Sequence, residues 1–147
     1  MQRSSTPPDD FVASLPDEVR DDIAMLDAQL SRVFTGHERV LWEGVFWGGS
    51  NQHIIGYGSY RYKGRSGTEG EWFIVGLAAQ KAHLSLYVSG AEDGKSLAKR
   101  YAERLGKVKL GSANVTFKRL ADLDLVAVLE MAERARDLMT GGSAGGR

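Results

Sequence analysis

The sequence predicts an α+β domain, a two-layer sandwich with helices packed on one face of a mostly antiparallel, five-stranded sheet. Three observations carry that expectation. Apolar residues recur with helical period from Val19 to Val33 and again from Leu125 to Met139. Between these stretches, from Val40 to Val88, they alternate with period two. Glycines at 48, 49, 64, 67 and 70 then punctuate the alternating stretch as short hairpin loops require. A chain of 147 residues, 42% hydrophobic, suits one core.

Each element has a local reason. Residues 1–8 lack apolar periodicity and read as a flexible leader, residues 9–140 as one domain, and residues 141–147 as a flexible glycine-rich tail. Phe11, Val12 and Leu15 suggest a short helical turn. Val19, Ile23, Leu26, Leu30 and Val33 follow at steps of four, three, four and three, which places them on one helical stripe, with Pro16 suited to the first turn and Gly36 to the stop. Strands are expected over 39–46, 53–62, 71–79 and 82–89, in sequence an antiparallel meander. A helix fits 95–105, with Leu97, Tyr101 and Leu105 at spacing four and Gly106 after them. A fifth strand fits 113–119. The last helix runs from about Asp124 to Met139, with Asp122 or Asp124 placed to cap its first amides.

Composition excludes several chemistries. With no cysteine, zinc ribbons, thiol nucleophiles and iron–sulfur ligation are out. No apolar run approaches the roughly 18 residues of a membrane span, and residues 1–10 are polar rather than a signal peptide, so the expected location is the cytoplasm with no membrane partner. The 19 Lys/Arg balance the 19 Asp/Glu, but the balance is segregated. Residues 1–59 hold four basic against nine acidic side chains, residues 60–119 twelve against five, and residues 120–147 three against five. Such asymmetry marks either an interaction surface or neutralisation between interleaved halves.

The stretch from Lys81 to Val88 carries the functional expectation. As a strand it turns Ala82, Leu84, Leu86 and Val88 toward the helices and Lys81, His83, Ser85 and Tyr87 away from them. Residues 113–119 repeat the arrangement, with Ala113, Val115 and Phe117 inward and Asn114, Thr116 and Lys118 outward. If the two strands are neighbours, ammonium, imidazole, phenol and amide groups share one uncovered face. Aromatic residues such as Trp42, Trp47 and Trp72 could form its rim, although a strand tryptophan is more often core. A solvated sheet face is the plain alternative for the polar set.

Other chemistries are weaker. His83 and Ser85 stand two apart on one face, yet no nucleophile elbow or third orienting residue accompanies them. The glycine-rich run from Gly64 to Gly70 lacks the Lys-Ser/Thr ending of a phosphate loop and lies between strands. Asp17, Glu18, Asp21 and Asp22 form two i,i+4 pairs that could present hard oxygen donors to a metal, while acidic residues in a first turn also complement the helix dipole. Single-stranded nucleic acid is the alternative partner, through Tyr60, Arg61, Tyr62, Lys63 and Arg65 with Lys99, Arg100, Arg104, Lys107, Lys109, Lys118 and Arg119. The neutral net charge argues against a dedicated nucleic-acid binder.

Five runs, FVASLPDEVR at 11–20, WFIVGL at 72–77, KAHLSLY at 81–87, LGKVKLG at 105–111 and FKRLADLD at 117–124, resemble in order and spacing the YdhG-like family of bacterial domains of unknown function. The resemblance implies a frataxin-like α+β sandwich, and a proposed iron-chaperone role in at least one relative makes iron the cofactor it raises. The acidic helix from Asp17 to Asp22 matches in position the ridge by which frataxins hold iron. The family signature itself falls on Lys81, His83, Ser85, Tyr87 and the turn from Lys107 to Gly111, which do not look like the acidic iron-holding ridge of a frataxin. The long glycine-rich segment from Ser59 to Gly70 and the stretch from Trp42 to Gly49 depart from the family pattern. The reading is a binding domain rather than a defined enzyme, for a small ligand, anion or metal. Lys81, His83 and Tyr87 form its polar centre, with Trp42, Trp47 and Lys118 at the rim.

Overall fold

The computed structural model describes residues 2–45, 51–63, 67 and 69–141. Phe46, Trp47, Gly48 and Gly49, most of the 64–68 loop and the tail from residue 142 lie outside the described residues. The chain forms β1 (Gln2–Arg3), α1 (Pro8–Ala13), α2 (Asp17–Val33), β2 (Arg39–Val45), β3 (Asn51–Lys63), β4 (Glu69–Ala79) and β5 (Leu84–Val88). A small hairpin of β6 (Ala91–Glu92) and β7 (Lys95–Ser96) leads into α3 (Leu97–Tyr101). Then come β8 (Lys109–Leu110), β9 (Asn114–Phe117) and α4 (Leu125–Thr140).

The main sheet is antiparallel in the order β1-β2-β3-β4-β5-β9-β8, so it has seven strands rather than the five expected. The two extra strands are both edges of two residues, too short to display an alternation in sequence. One of them lies within residues 1–8. Gln2 and Arg3 pair with Glu43 and Trp42, the Arg3 guanidinium lies 5.1 Å over the Trp42 ring, and it bonds both Glu38 and Glu71. The helix expected over 95–105 is also shorter: Lys95 and Ser96 belong to β7, the Ser96 hydroxyl caps α3 by accepting from Lys99 N–H at 3.2 Å, and a 3-10 turn follows at Ala102–Arg104.

Helices and sheet meet through the predicted stripes. Ile23, Leu26, Leu30 and Val33 of α2 and Ala127, Val128, Met131, Ala132 and Ala135 of α4 pack with Leu41, Ile55, Leu77, Leu84, Leu86 and Val115 of the sheet. Burying one such Leu or Ile stabilises by about 1.5–3 kcal/mol, whereas an exposed ion pair contributes about 0–1 kcal/mol, so apolar packing sets this layer. Asp124 caps α4, accepting from Ala127 N–H at 3.2 Å. One polar knot is built into the layer: Asp27 of α2 accepts from Tyr57 Oη at 2.6 Å and from Arg39 Nε and Nη2 at 3.0 and 2.6 Å. Burial and the Asp27 carboxylate push the Tyr57 phenol well above its ordinary value.

The face away from the helices is not bare. Trp42, Ile54, Phe73, Ala78 and Tyr87 form a second buried cluster there, with Val40 and Trp72 against it. Ring centroids lie 4.4 Å apart for Trp72 and Phe73, 6.0 Å for Trp42 and Phe73, and 6.2 Å for Phe73 and Tyr87. The rings sit over a cross-strand pair of glycines, Gly56 and Gly76. A Cβ at Gly56 would come within 2.7 Å of Phe73 and Trp42, and one at Gly76 within 2.6 Å of Phe73. The alternation expected along 71–79 slips once to bring Phe73 there, because Ile74 and Val75 both pack on the helix side. Opposite the slip, Gly58 has φ +68° and a Cβ there would meet Ile74 at 2.9 Å, a position suited to glycine.

Candidate functional site

Residues opposite one another on neighbouring antiparallel strands share a face, so register decides which side chains of β5, β9 and β8 meet. Tyr87 pairs with Asn114 and Ser85 with Thr116, and His83 and Lys118 lie just outside the paired strands, next to the Leu84–Phe117 pair, and line one cleft. On the other side of β9, Lys109 pairs with Thr116, and Gly111 N–H donates to the Asn114 carbonyl at 2.7 Å. Away from the helices the ladder therefore reads as three rows. His83 and Lys118 form the first, Ser85, Thr116 and Lys109 the second, Tyr87 and Asn114 the third. The expected parity of β5 holds, since Leu84, Leu86 and Val88 lie in the helix-side core and Tyr87 in the opposite cluster.

The first two rows open onto a cleft of ≈ 570 Å³ bounded by His83, Lys107, Lys109, Thr116, Lys118 and Asp122. Lys107 and Lys109 arrive there through a backbone clasp. Gly106 has φ +105°, and a Cβ on it would stand 2.2 Å from the Asp122 carbonyl. That carbonyl accepts from Lys107 N–H at 2.8 Å, and Asp124 N–H donates back to the Leu105 carbonyl at 2.8 Å. The clasp ties the segment after α3 to the start of α4 and sends the next residues out as the β8 edge. The three lysines are exposed, and among the described residues none of them forms an ion pair.

Nearby carboxylates are instead held by arginines. Asp22 accepts from Arg119 Nε at 2.8 Å and from Leu120 N–H at 3.0 Å. Burial alone would raise the Asp22 carboxyl, but the Arg119 guanidinium and the Leu120 amide outweigh it and hold it below the usual carboxylate range. Arg104 takes Glu130 and Arg134 takes Glu92. Within the cleft, Asp122 is the one carboxylate among the lining residues, and its Oδ2 accepts from Arg119 N–H at 3.2 Å. Three ammonium groups against one engaged carboxylate leave the cleft electropositive.

The residues expected to form one polar centre are divided among three clefts. His83 and Lys118 line the basic cleft. Lys81 is in the tight turn between β4 and β5, closed by Gln80 N–H to the His83 carbonyl at 2.8 Å, and lines a separate cleft of ≈ 250 Å³ with Phe11, Gln52, His53 and Gln80. The strand expected from Ala82 therefore begins at Leu84. Tyr87 is only 7% exposed and borders an aromatic cleft of ≈ 290 Å³ with Tyr60, Trp72 and Phe73. Trp42, at 4% exposure, is a member of the aromatic cluster rather than a rim. Trp47 lies outside the described residues.

Gln80, which carried no expectation, links these regions. Its Nε2 donates to Gln52 Oε1 and to Tyr87 Oη, both at 3.0 Å, and its Oε1 accepts from Ser85 Oγ at 2.5 Å. The fully buried Ser85 thus gives its hydroxyl proton to an amide and not to His83. An uncharged residue after the strand gave no sequence signal for this role. The acidic helix does not converge either: Asp17 pairs with Arg20, Asp22 turns to Arg119, and Glu18 and Asp21 are exposed. Among the described residues no group of three or more His, Asp or Glu side chains is placed to hold a metal ion. No helix among them is long and apolar enough to cross a membrane.

No protein-family model, no curated protein and no solved structure matches the chain. Fold and site define an α+β domain with a basic cleft at the β5–β9–β8 end of its sheet. The likeness to YdhG-like domains rests on the sequence runs quoted for it.

Proposed function

We propose that this domain binds an anionic ligand in the basic cleft, with Lys107, Lys109 and Lys118 supplying charge and Thr116 and His83 the oriented polar contacts. The observation that carries the reading is convergence: the β8–β9 register sets Lys109 beside Thr116, and the flanking segments add His83, Lys107 and Lys118 to one cleft whose lysines, among the described residues, pair with no carboxylate. A charge-assisted hydrogen bond contributes about 1.5–3 kcal/mol net, so two or three correspond to binding from the millimolar to the micromolar range.

Thermal unfolding with tripolyphosphate as probe tests it. At a hundredfold excess over its dissociation constant a ligand stabilises by about 2.7 kcal/mol, which raises the Tm of a domain this size by about 5–10 °C. The doubly substituted Lys109→Ala, Lys118→Ala chain should keep its own Tm and lose that rise. An unchanged Tm at millimolar tripolyphosphate, or an equal rise in the double variant, would overturn the reading.

A further inference from the structure

We infer that the anion taken by this cleft is the backbone of a single-stranded nucleic acid, with one base entering the aromatic cleft at the far end of the same ladder. The inference rests on the anion-binding reading and adds the chemistry of the ligand. It starts from the geometry of β5 and β9. The Ser85–Thr116 and Tyr87–Asn114 pairs lie on one face, two residues or about 7 Å apart, and His83 and Lys118 follow just beyond the Leu84–Phe117 pair. A second depression, lined by His83, Lys109, Asn114 and Thr116, extends the basic cleft along the strands toward the Tyr87–Asn114 pair. It shares His83, Lys109 and Thr116 with the basic cleft, and Asn114 stands opposite Tyr87 of the aromatic cleft.

A lone inorganic anion would use only the first two rows. A ligand that continues in that direction meets an amide at Asn114 and then the part-exposed rings of Tyr60 and Trp72, which line the aromatic cleft over the buried Phe73 and Tyr87. Strand recognition without sequence readout combines these two parts, cations that follow the phosphates and aromatic rings against the bases. Duplex would be held away, because its bases are stacked inside and could not reach a cleft of ≈ 290 Å³. The zero net charge of the chain does not oppose this, since the acidic surplus lies in residues 1–59 and the two clefts are built from residues 60–122.

Fluorescence anisotropy with a labelled oligothymidylate of about ten nucleotides tests the inference, with tripolyphosphate, thymidine triphosphate and a duplex of equal length as competitors. The single strand should bind more tightly than any competitor. With three phosphates neutralised, a rise from roughly 50 to roughly 250 mM salt should weaken it about thirtyfold. Tyr60→Leu, which keeps an apolar side chain against the helix-side core, should weaken the oligonucleotide about tenfold and leave tripolyphosphate unchanged. Lys109→Ala with Lys118→Ala should weaken both. In the unsubstituted chain the oligonucleotide should quench tryptophan fluorescence and tripolyphosphate should not. If tripolyphosphate or thymidine triphosphate competes as well as the strand, and Tyr60→Leu changes neither, the nucleic-acid inference fails while the anion reading stands. If duplex binds equally, the single-strand assignment fails. If neither polyanion binds at low salt, both readings fail.

Discussion

The two faces of the sheet are both buried, but by different means. On one, two long amphipathic helices lay aliphatic stripes across Leu41, Ile55, Leu77 and Leu86. On the other, no helix among the described residues takes part in the cluster, and Trp42, Phe73, Trp72 and Tyr87 cover one another over the bare backbone of Gly56 and Gly76. The aromatic cluster occupies only the β2–β5 part of that face, and where it stops, at the β5–β9–β8 end, polar and cationic side chains line the clefts. The difference teaches that a sheet face without a helix over it divides into a half packed by its own rings and a half lined by polar and cationic side chains, with clefts opening in both.

Substitutions at the two faces sharpen that contrast. The largest effect is expected at Phe73→Ala, about 3–5 kcal/mol in urea unfolding, because the ring fills the space the glycine pair leaves open. A loss below about 1 kcal/mol would show that the aromatic half is surface decoration and not a core. Asp27→Ala on the helix side should cost about 2–4 kcal/mol, since it leaves Arg39 and Tyr57, both tucked beneath the helices, without their shared acceptor. The Asp27 site is partly solvated, which keeps the figure below that of a fully enclosed pair. Gly106→Ala should cost about 1–3 kcal/mol through its positive φ and the approach to the Asp122 carbonyl, and it should also impair anion binding by moving Lys107 and Lys109. Lys109→Ala alone should change stability by less than about 0.5 kcal/mol.

The pH dependence separates the helix side in the same way. Asp22 is held below its ordinary range in the fold, and so, with their arginine partners, are Glu92 and Glu130. Their contribution is complete above the unfolded carboxylate values near pH 4 and is lost as pH falls through the lower folded values. Tyr57 is the opposite case, an acid whose proton the fold retains through burial and Asp27. Stability should therefore decline as pH climbs above about 10, where only the unfolded chain releases that proton. Urea midpoints across the pH range check both arms, and Tyr57→Phe should flatten the alkaline one.

Local patterns were legible in the sequence because they depend on residues a few positions apart. The stripe of α2, the inward set Leu84, Leu86 and Val88, the Asp124 cap and the basic surplus of residues 60–119 all follow from such spacing, and all are present in the fold. The site was legible one strand at a time. His83, Thr116 and Lys118 could be turned away from the helices by parity alone, but nothing local says that Lys81 belongs to a tight turn facing Phe11 and His53, or that Tyr87 is covered by Phe73.

What the sequence by itself determined is which way each side chain of a regular element points, because the 3.6- and two-residue periods are properties of the backbone. Which side chains meet was decided only by tertiary structure. Lys109 stands beside Thr116, Asp22 beside Arg119, and Phe73 above Gly76 because of strand register, a glycine clasp and one slip in alternation. Those contacts join residues far apart in the chain, and their energies appear only once the whole sheet is paired.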